Sequence, residues 1–410
     1  MNHPRQYADW RLLLVALLLA ISVYYWIEWR TFTNFVEAID HSSQFMLDFA
    51  GHYYPMGRQI LHVPTPVFGY YYTSFFALLL VPVCLLSLPS AMVVWGVIQF
   101  VCLAALCIVP ARGLLKMRPT GTVLYAGLCA TSYPVLHNIK WGQVSVLLTV
   151  CVIAAFLAYN KNKSILAGIL LAFAAAIKLY PSFFIVYFIL KRDVRACAAF
   201  VLAALVFYLV IPATVLGFSN WLGFEKAVST AIMNAGWVSS DVNSQFFAHV
   251  GLRWFAIIFE RDAGSAFAQA LTIAGYGIAL SCIAMVWFLQ RRESCEKHGL
   301  SMVVIFLSIP FVLKTSWPHY FVYLPLCQAA VFSYYASCFR VSGLCGKALS
   351  ALPVLSMLLS SVFLFNLFPG WGIYNSYGML FLSNMLLLVA VYATVVMSDG
   401  PIRLDRPISE

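Results

Sequence analysis

The chain has 410 residues, 62% of them hydrophobic and 10% charged, with a mean hydropathy of +0.87. Repeated apolar runs of about 18 to 22 residues put it in the polytopic helical membrane class and leave no stretch long enough for a soluble core, so residues 1–410 read as one transmembrane domain. The net charge of +10 does not point to nucleic acid, because the Lys and Arg residues lie in short loops between apolar runs instead of covering a soluble face.

The first apolar run, residues 12–29, ends in bulky aromatics and a charge instead of a small-residue cleavage site, and reads as a retained anchor. Basic loops follow at 111–118, 160–163, 190–195, 289–298 and 339–347, and together with both tails they are expected on the cytoplasmic side. Three runs (12–29, 68–88 and 91–110) separate the N-terminal tail from the first of these loops, and three crossings cannot return to the same side. The run 68–88, with its Pro-rich approach and Pro82 inside it, is the one expected not to cross. Residues 30–90 then form an outward, membrane-docked element.

The remaining crossings are expected at 91–110, 120–137, 144–159, a short pair at 164–177 and 182–190, then 196–216, 266–289, 300–313, 319–338, 348–366 and 376–397. The total is about 12 transmembrane helices in an all-α fold, with both termini cytoplasmic. The 11 cysteines fall mostly inside these runs and read as small packing residues, and no Cys/His spacing looks like a metal site. On this topology the outward segments hold Glu37, Asp40, Asp48 and Asp241, six of the 8 histidines, and few bases, among them Arg58, Lys140, Lys178, Arg253 and Lys314.

In "SSQFMLDFAGHYYPMGRQIL" (42–61), Ser42 or Ser43 can cap a helix that Pro55 stops. Gln44, Asp48 and His52 would form its polar edge, with Phe45, Phe49 and Tyr53 beside them. Such a helix either shows an acid to a cavity or is an ordinary amphipathic helix with a hydrated acid. "LHNIKWGQVS" (136–145) turns sharply at Gly142 and carries His137, Lys140, Trp141 and Gln143. Lys178, between two apolar half-length helices, either snorkels to water or supplies a fixed positive charge to an anionic ligand. "KTSWPHYFVYLPL" (314–326) brings Trp317, His319 and Tyr320 to the outer mouth of a span, where hydrogen-bond donors could meet a phosphate.

Four pieces, "LDFAGHYYPMGRQIL", "HNIKWGQVSVLL", "AGILLAFAAAIKLYPSFFIVYFILKRD" and "SWPHYFVYLPL", resemble in order and spacing the polyprenyl-phosphate-mannose-dependent mannosyltransferases of glycosyltransferase family 87, within the GT-C fold superfamily. The resemblance implies an inverting, metal-independent transfer of a hexose, mannose above all, from a polyprenyl-phosphate donor to a hydroxyl of a lipid or glycan acceptor. It places the reaction on the periplasmic face of a bacterial inner membrane, among membrane lipids and without a cofactor. It maps the general base onto Asp48 and the His of the W-x-H segment onto His319. Substrate contacts are expected from His52, Arg58, Lys140, Gln143, Lys178, Tyr180 and Trp317, with Arg253 a further candidate for the phosphate. The family often has Asn two residues after its GQ, where this chain has Ser145, which bears on sugar or acceptor specificity. A polytopic transporter or flippase is the rival class, and it predicts an internal repeat that the sequence does not show.

Overall fold

The computed structural model describes residues 45–292, 296, 299–337, 343–369 and 371–397. The anchor at 12–29, both tails, Cys295 and the outward residues Glu37, Asp40, His41, Ser42, Ser43 and Gln44 lie outside the described residues. The described part is helical, and its only extended pairing is a single bridge between Ser132 and Ser361. Among the described residues three helices, Leu88–Leu114, Val194–Leu216 and Ser265–Gln290, are long and apolar enough to cross a membrane. They leave large apolar side chains such as Val97, Phe100, Leu202, Ile273 and Leu280 exposed, which costs nothing where the surrounding solvent is hydrocarbon. The protein is an integral membrane protein. Cys84, Cys129, Cys282 and Cys327 are buried and free, as packing residues should be.

Two of the expected crossings are interrupted. The run 120–137 is two helices, Pro119–Ala130 and Tyr133–Trp141, because Thr131 turns its hydroxyl back onto Gly127 O and Pro134 disfavours helical geometry before it. The run 348–366 is likewise divided between Gly343–Leu359 and Val362–Phe365. Unpaired backbone is intolerable away from water, and the two breaks answer each other: Tyr133 N donates to Ser360 O (2.9 Å) and Val362 N to Thr131 O (2.9 Å).

The short pair appears as a hairpin. Helix Ser164–Ile177 rises to an extended Lys178, and a 3-10 turn Tyr180–Phe184 leads into Ile185–Leu190. Pro181 prevents the first helix from running on. Ser164 Oγ, donating to Asp193 Oδ2 at 2.6 Å, ties the two legs at the base, so Lys178 sits at the apex.

The segment before helix Leu88–Val109 also folds compactly. Helix Ser74–Cys84 has 11 residues, a length of about 16 Å, little more than half of an apolar slab of about 30 Å. It lies against Tyr54–Gln59, where Gly57 leaves room for Cys84 Sγ; a Cβ there would fall 2.5 Å from the sulfur. Pro55 does not stop the preceding helix as expected. A π-turn over Phe49–Tyr53, closed by Tyr54 N to Phe49 O, widens the coil just before the proline, whose missing N–H then breaks no regular ladder, and the helix continues to Gln59. Two further helices, Phe218–Met233 and Phe247–Phe259, lie between the long helices Val194–Leu216 and Ser265–Gln290.

Candidate active site

Asp48 stands where three local constraints meet. Met46, at φ 52°, turns the chain so that its N–H donates to Lys140 O (2.6 Å), which pins the start of the π-turn to the end of helix Tyr133–Trp141. Phe49 stacks on Trp95 (5.2 Å between centroids, 12°), and Trp95 Nε1 donates to Gly142 O at 2.8 Å. Gly142 is left-handed at φ 69°, and a Cβ there would come within 2.9 Å of Phe49 Cβ. The acid and the GQ turn are therefore locked together through one tryptophan.

A polar relay extends from this lock. Gln143, almost fully buried, donates its amide to Asp48 Oδ2 and accepts at Oε1 from Tyr72 OH (2.6 Å) and Tyr53 OH (2.9 Å). Lys178 Nζ donates to Tyr72 OH at 3.1 Å and lies 4.3 Å from the ring centroids of both Tyr72 and Tyr320. Tyr180 packs against Tyr320 at 5.1 Å. Among the described residues no carboxylate bonds to Lys178, whose charge is held by two π faces and a phenol.

Burial raises the Asp48 carboxyl above its usual range, while the Gln143 hydrogen bond and the charges of His52 and Lys178 pull it partway back. Its Oδ1 remains open, with His52 Nε2 at 4.0 Å. His52 is held by Nδ1 against Phe68 O (2.8 Å) and by the bare Cα of Gly69 (φ 80°), where a Cβ would lie 2.3 Å from the imidazole. His319 is buried at 3% exposure, neither ring nitrogen has a partner, and its ring stacks on His137 at 5.8 Å.

Asp48, His52, Tyr53, Tyr72, His137, Gln143, Lys178, Tyr180, His319 and Tyr320 line one cavity of about 560 Å³, whose other walls include Phe68, Tyr71, Val228 and Ile232. Of the sequence-expected residues, Asp48, His52, Gln143, Lys178, Tyr180, Trp317 and His319 come together there. Arg58 does not: it is exposed and donates to Tyr54 OH at 3.2 Å, one turn back on its own helix. Lys140 does not either, because His137 and Trp141 take the inward face of their helix and leave it exposed. Arg253 spends its guanidinium on backbone carbonyls, Ser244 O at 2.7 Å and Ser376 O at 3.2 Å, and joins two loops.

Sequence reasoning passed over Tyr53, Tyr72 and His137 as site residues, and Glu225 altogether. Glu225 accepts from Ser74 N (2.9 Å), Ser74 Oγ (2.6 Å) and Tyr208 OH (3.0 Å), so it fastens helix Phe218–Met233 over the start of Ser74–Cys84. The adjacent Lys226 makes Glu225 look like half of an ordinary surface charge pair, so the sequence offered no signal for it. Among the described residues no group of His, Cys, Asp and Glu side chains is arranged to hold a metal ion.

The model of glycosyltransferase family 87 matches residues 70–313, more than half of the chain. The chain belongs to glycosyltransferase family 87. The family match takes in Tyr72, Gln143, Lys178 and Tyr180 and leaves Asp48 and His319 on either side of it. A polyprenol-phosphate-mannose-dependent alpha-(1-2)-phosphatidylinositol mannoside mannosyltransferase from Mycobacterium tuberculosis is 25% identical over 289 residues, 65% of this chain and 63% of the relative. The protein of the same description from Mycolicibacterium smegmatis is 26% identical over 209 residues, 47% of this chain and 42% of the relative. The family 87 chain thus spans less than two thirds of the length of either relative. No solved structure matches it significantly.

Proposed function

We propose that this family 87 chain is a membrane mannosyltransferase that moves mannose from a polyprenyl-phosphate donor to a hydroxyl of a lipid or glycan acceptor on the periplasmic face. The observation that carries it is the coupling of an open carboxylate and a carboxylate-free ammonium in one cavity, Asp48 to Gln143 to Tyr72 to Lys178. A sugar phosphate needs both: a base for the acceptor and a cation for the departing phosphate.

In the step this geometry supports, the acceptor O–H gives its proton to Asp48 Oδ1, and the oxygen bonds to the anomeric carbon from the face opposite the phosphate. The bond from that carbon to the phosphate oxygen breaks, its electron pair leaves with the phosphate, and the configuration inverts. Lys178 and the unpartnered nitrogens of His319 hold the phosphate, and Gln143 keeps the carboxylate oriented. Tyr180 steadies the Tyr320 wall beside Lys178, Trp317 bounds the mouth, and His52 stands behind the base. Phe68, Tyr71, Val228 and Ile232 offer the apolar wall that a prenyl chain requires. The names of the mycobacterial relatives favour mannose as the sugar.

Purified protein incubated with polyprenyl-phosphate mannose, glucose and arabinose tests the reading. Consumption of the mannosyl donor alone, in the presence of acceptor, is expected. Consumption of none, or of a nucleotide sugar instead, overturns it.

A further inference from the structure

Three consecutive residues, Tyr72, Thr73 and Ser74, carry supports of the site in three directions. Tyr72 OH donates to Gln143 Oε1 (2.6 Å) and accepts from Lys178 Nζ (3.1 Å), so one phenol sets both the amide that aims Asp48 and the cation. Thr73 Oγ1 donates to Ala176 O, two residues before Lys178, and caps helix Ser74–Cys84 by accepting from Phe76 N (3.3 Å). Ser74 opens that helix, and its N–H (2.9 Å) and its hydroxyl (2.6 Å) both donate to Glu225 Oε1.

Residues 70–73 are irregular backbone with no helical ladder to hold them. Such a segment keeps one geometry only through its side-chain bonds and the anchors at its ends. Thr73 reaches one anchor, the Lys178 hairpin. The other is Glu225, whose carboxylate meets the otherwise orphaned first N–H of an 11-residue helix, the end where negative charge is favoured. Glu225 is buried, and Tyr208 OH donates to its Oε2 at 3.0 Å, which fixes the carboxylate from the other side. Its donors all come from the protein, whereas Asp48 keeps Oδ1 open, so Glu225 holds structure instead of taking a substrate proton.

Helix Phe218–Met233 makes that anchor part of the site. Glu225, Val228, Ser229 and Ile232, spaced i, i+3, i+4 and i+7, share one face of the helix and all line the cavity. The same carboxylate therefore ties a cavity wall to the segment that carries Tyr72. From this we infer that Glu225 is a positioning residue for the transfer step. Through Ser74 it holds Tyr72, and through Tyr72 it keeps Gln143 on Asp48 and Lys178 at the donor phosphate. The inference deepens the transferase reading and rests on it for the word transfer, but the placement of Tyr72 is measurable without any substrate.

The test uses the full-length protein in lipid nanodiscs with polyprenyl-phosphate mannose and a methyl mannoside as acceptor. Glu225→Gln keeps an Oε1 for both Ser74 donors, Glu225→Met keeps the length of the side chain without the acceptor, and Ser74→Ala removes one of the two bonds. Glu225→Met should lower kcat roughly tenfold to 10²-fold, the cost of a displaced catalytic constellation, with a smaller loss for Ser74→Ala and near-parent transfer for Glu225→Gln. Added to Tyr72→Phe, Glu225→Met should cost little more, because both losses run through one phenol. Thermal melting of each variant shows that it is folded. Without substrate, a fluorotyrosine in place of Tyr72 should give a fluorine NMR resonance that shifts or broadens in Glu225→Met and keeps its position in Glu225→Gln. A loss in Glu225→Gln as deep as in Glu225→Met, losses that add to those of Tyr72→Phe, or an unmoved resonance in folded Glu225→Met would each overturn the inference. A resonance that moves in Glu225→Met, in a protein that consumes no polyprenyl-phosphate mannose, would refute the donor and leave the tie to Tyr72 standing.

Discussion

Asp48 is held in two opposed environments at once, since burial favours its protonated form while Gln143, His52 and Lys178 favour the carboxylate. The balance leaves its pKa raised, which suits a base that must accept a proton and release it again. Transfer should therefore fall as pH drops through this raised value, with the acid limb of kcat/KM above the ordinary carboxylate range. Asp48→Asn keeps an acceptor for Gln143 but removes basicity, and transfer should drop by about 10²-fold or more while donor binding survives. A raised carboxyl pKa means the folded state holds its proton more tightly than the unfolded chain, so ionisation of Asp48 costs stability as pH rises. The Asn variant should accordingly melt no lower than the parent at pH 7, and parent-level transfer by this variant would exclude Asp48 as the base. Lys178 makes a complementary case. Its ammonium is confined between two rings at 4.3 Å, a space shaped for a compact charge. Lys178→Ala should raise the donor KM, and Lys178→Arg should not restore it, because the planar guanidinium is larger and directs its donors differently. Full rescue by Arg in donor titrations would show that charge alone matters there.

At the scale of elements, the site depends on turns more than on helices. The Met46 turn, the π-turn at Phe49–Tyr53 and the left-handed Gly142 each bend the backbone just where Asp48 and Gln143 must meet. Gly142→Ala places a Cβ 2.9 Å from Phe49 Cβ at a positive φ, so both the backbone and the Phe49–Trp95 stack must shift. A loss of about 1–3 kcal/mol is expected, read as a lower melting temperature, together with weakened transfer because Gln143 no longer aims at Asp48. An unchanged melt would mean that the turn relaxes freely and that the lock is not rigid. The hairpin works in the same way: Pro181 and the extended Lys178 end a helix at the depth where the cavity needs a cation.

For the whole molecule, the side of the membrane follows from one short helix. Ser74–Cys84 is about 16 Å long and packs on Tyr54–Gln59, so we expect residues 68–88 to turn back without crossing. In a cysteine-free background, single cysteines at Leu61 and Ser90 should both react with a membrane-impermeant thiol reagent added from outside. Protection of the Ser90 position until the membrane is opened would put it on the cytoplasmic face and reverse the topology of everything that follows.

Membrane class and the positions of Asp48, Gln143, Lys178 and His319 were legible in the sequence, because a polar side chain in an apolar chain is expensive and so marks its own purpose. The helix stop expected at Pro55 was not legible, because it depended on whether a π-turn would precede the proline. Arg58, Lys140 and Arg253 do not line the cavity, because a charge pattern carries no information on the direction of a side chain: Arg58 turns to Tyr54, Lys140 is exposed and Arg253 turns to backbone carbonyls. Paired breaks at Thr131 and Ser361 could not be foreseen either, since each is stable only through the other's backbone, 230 residues apart along the chain. Tyr53 and Tyr72 stand among many aromatics, and only folding brings their hydroxyls to Gln143. Sequence by itself determined which groups are too costly to be idle. Only the tertiary structure decided which of them share a cavity, because long-range hydrogen bonds and ring contacts, not local propensity, choose the partners.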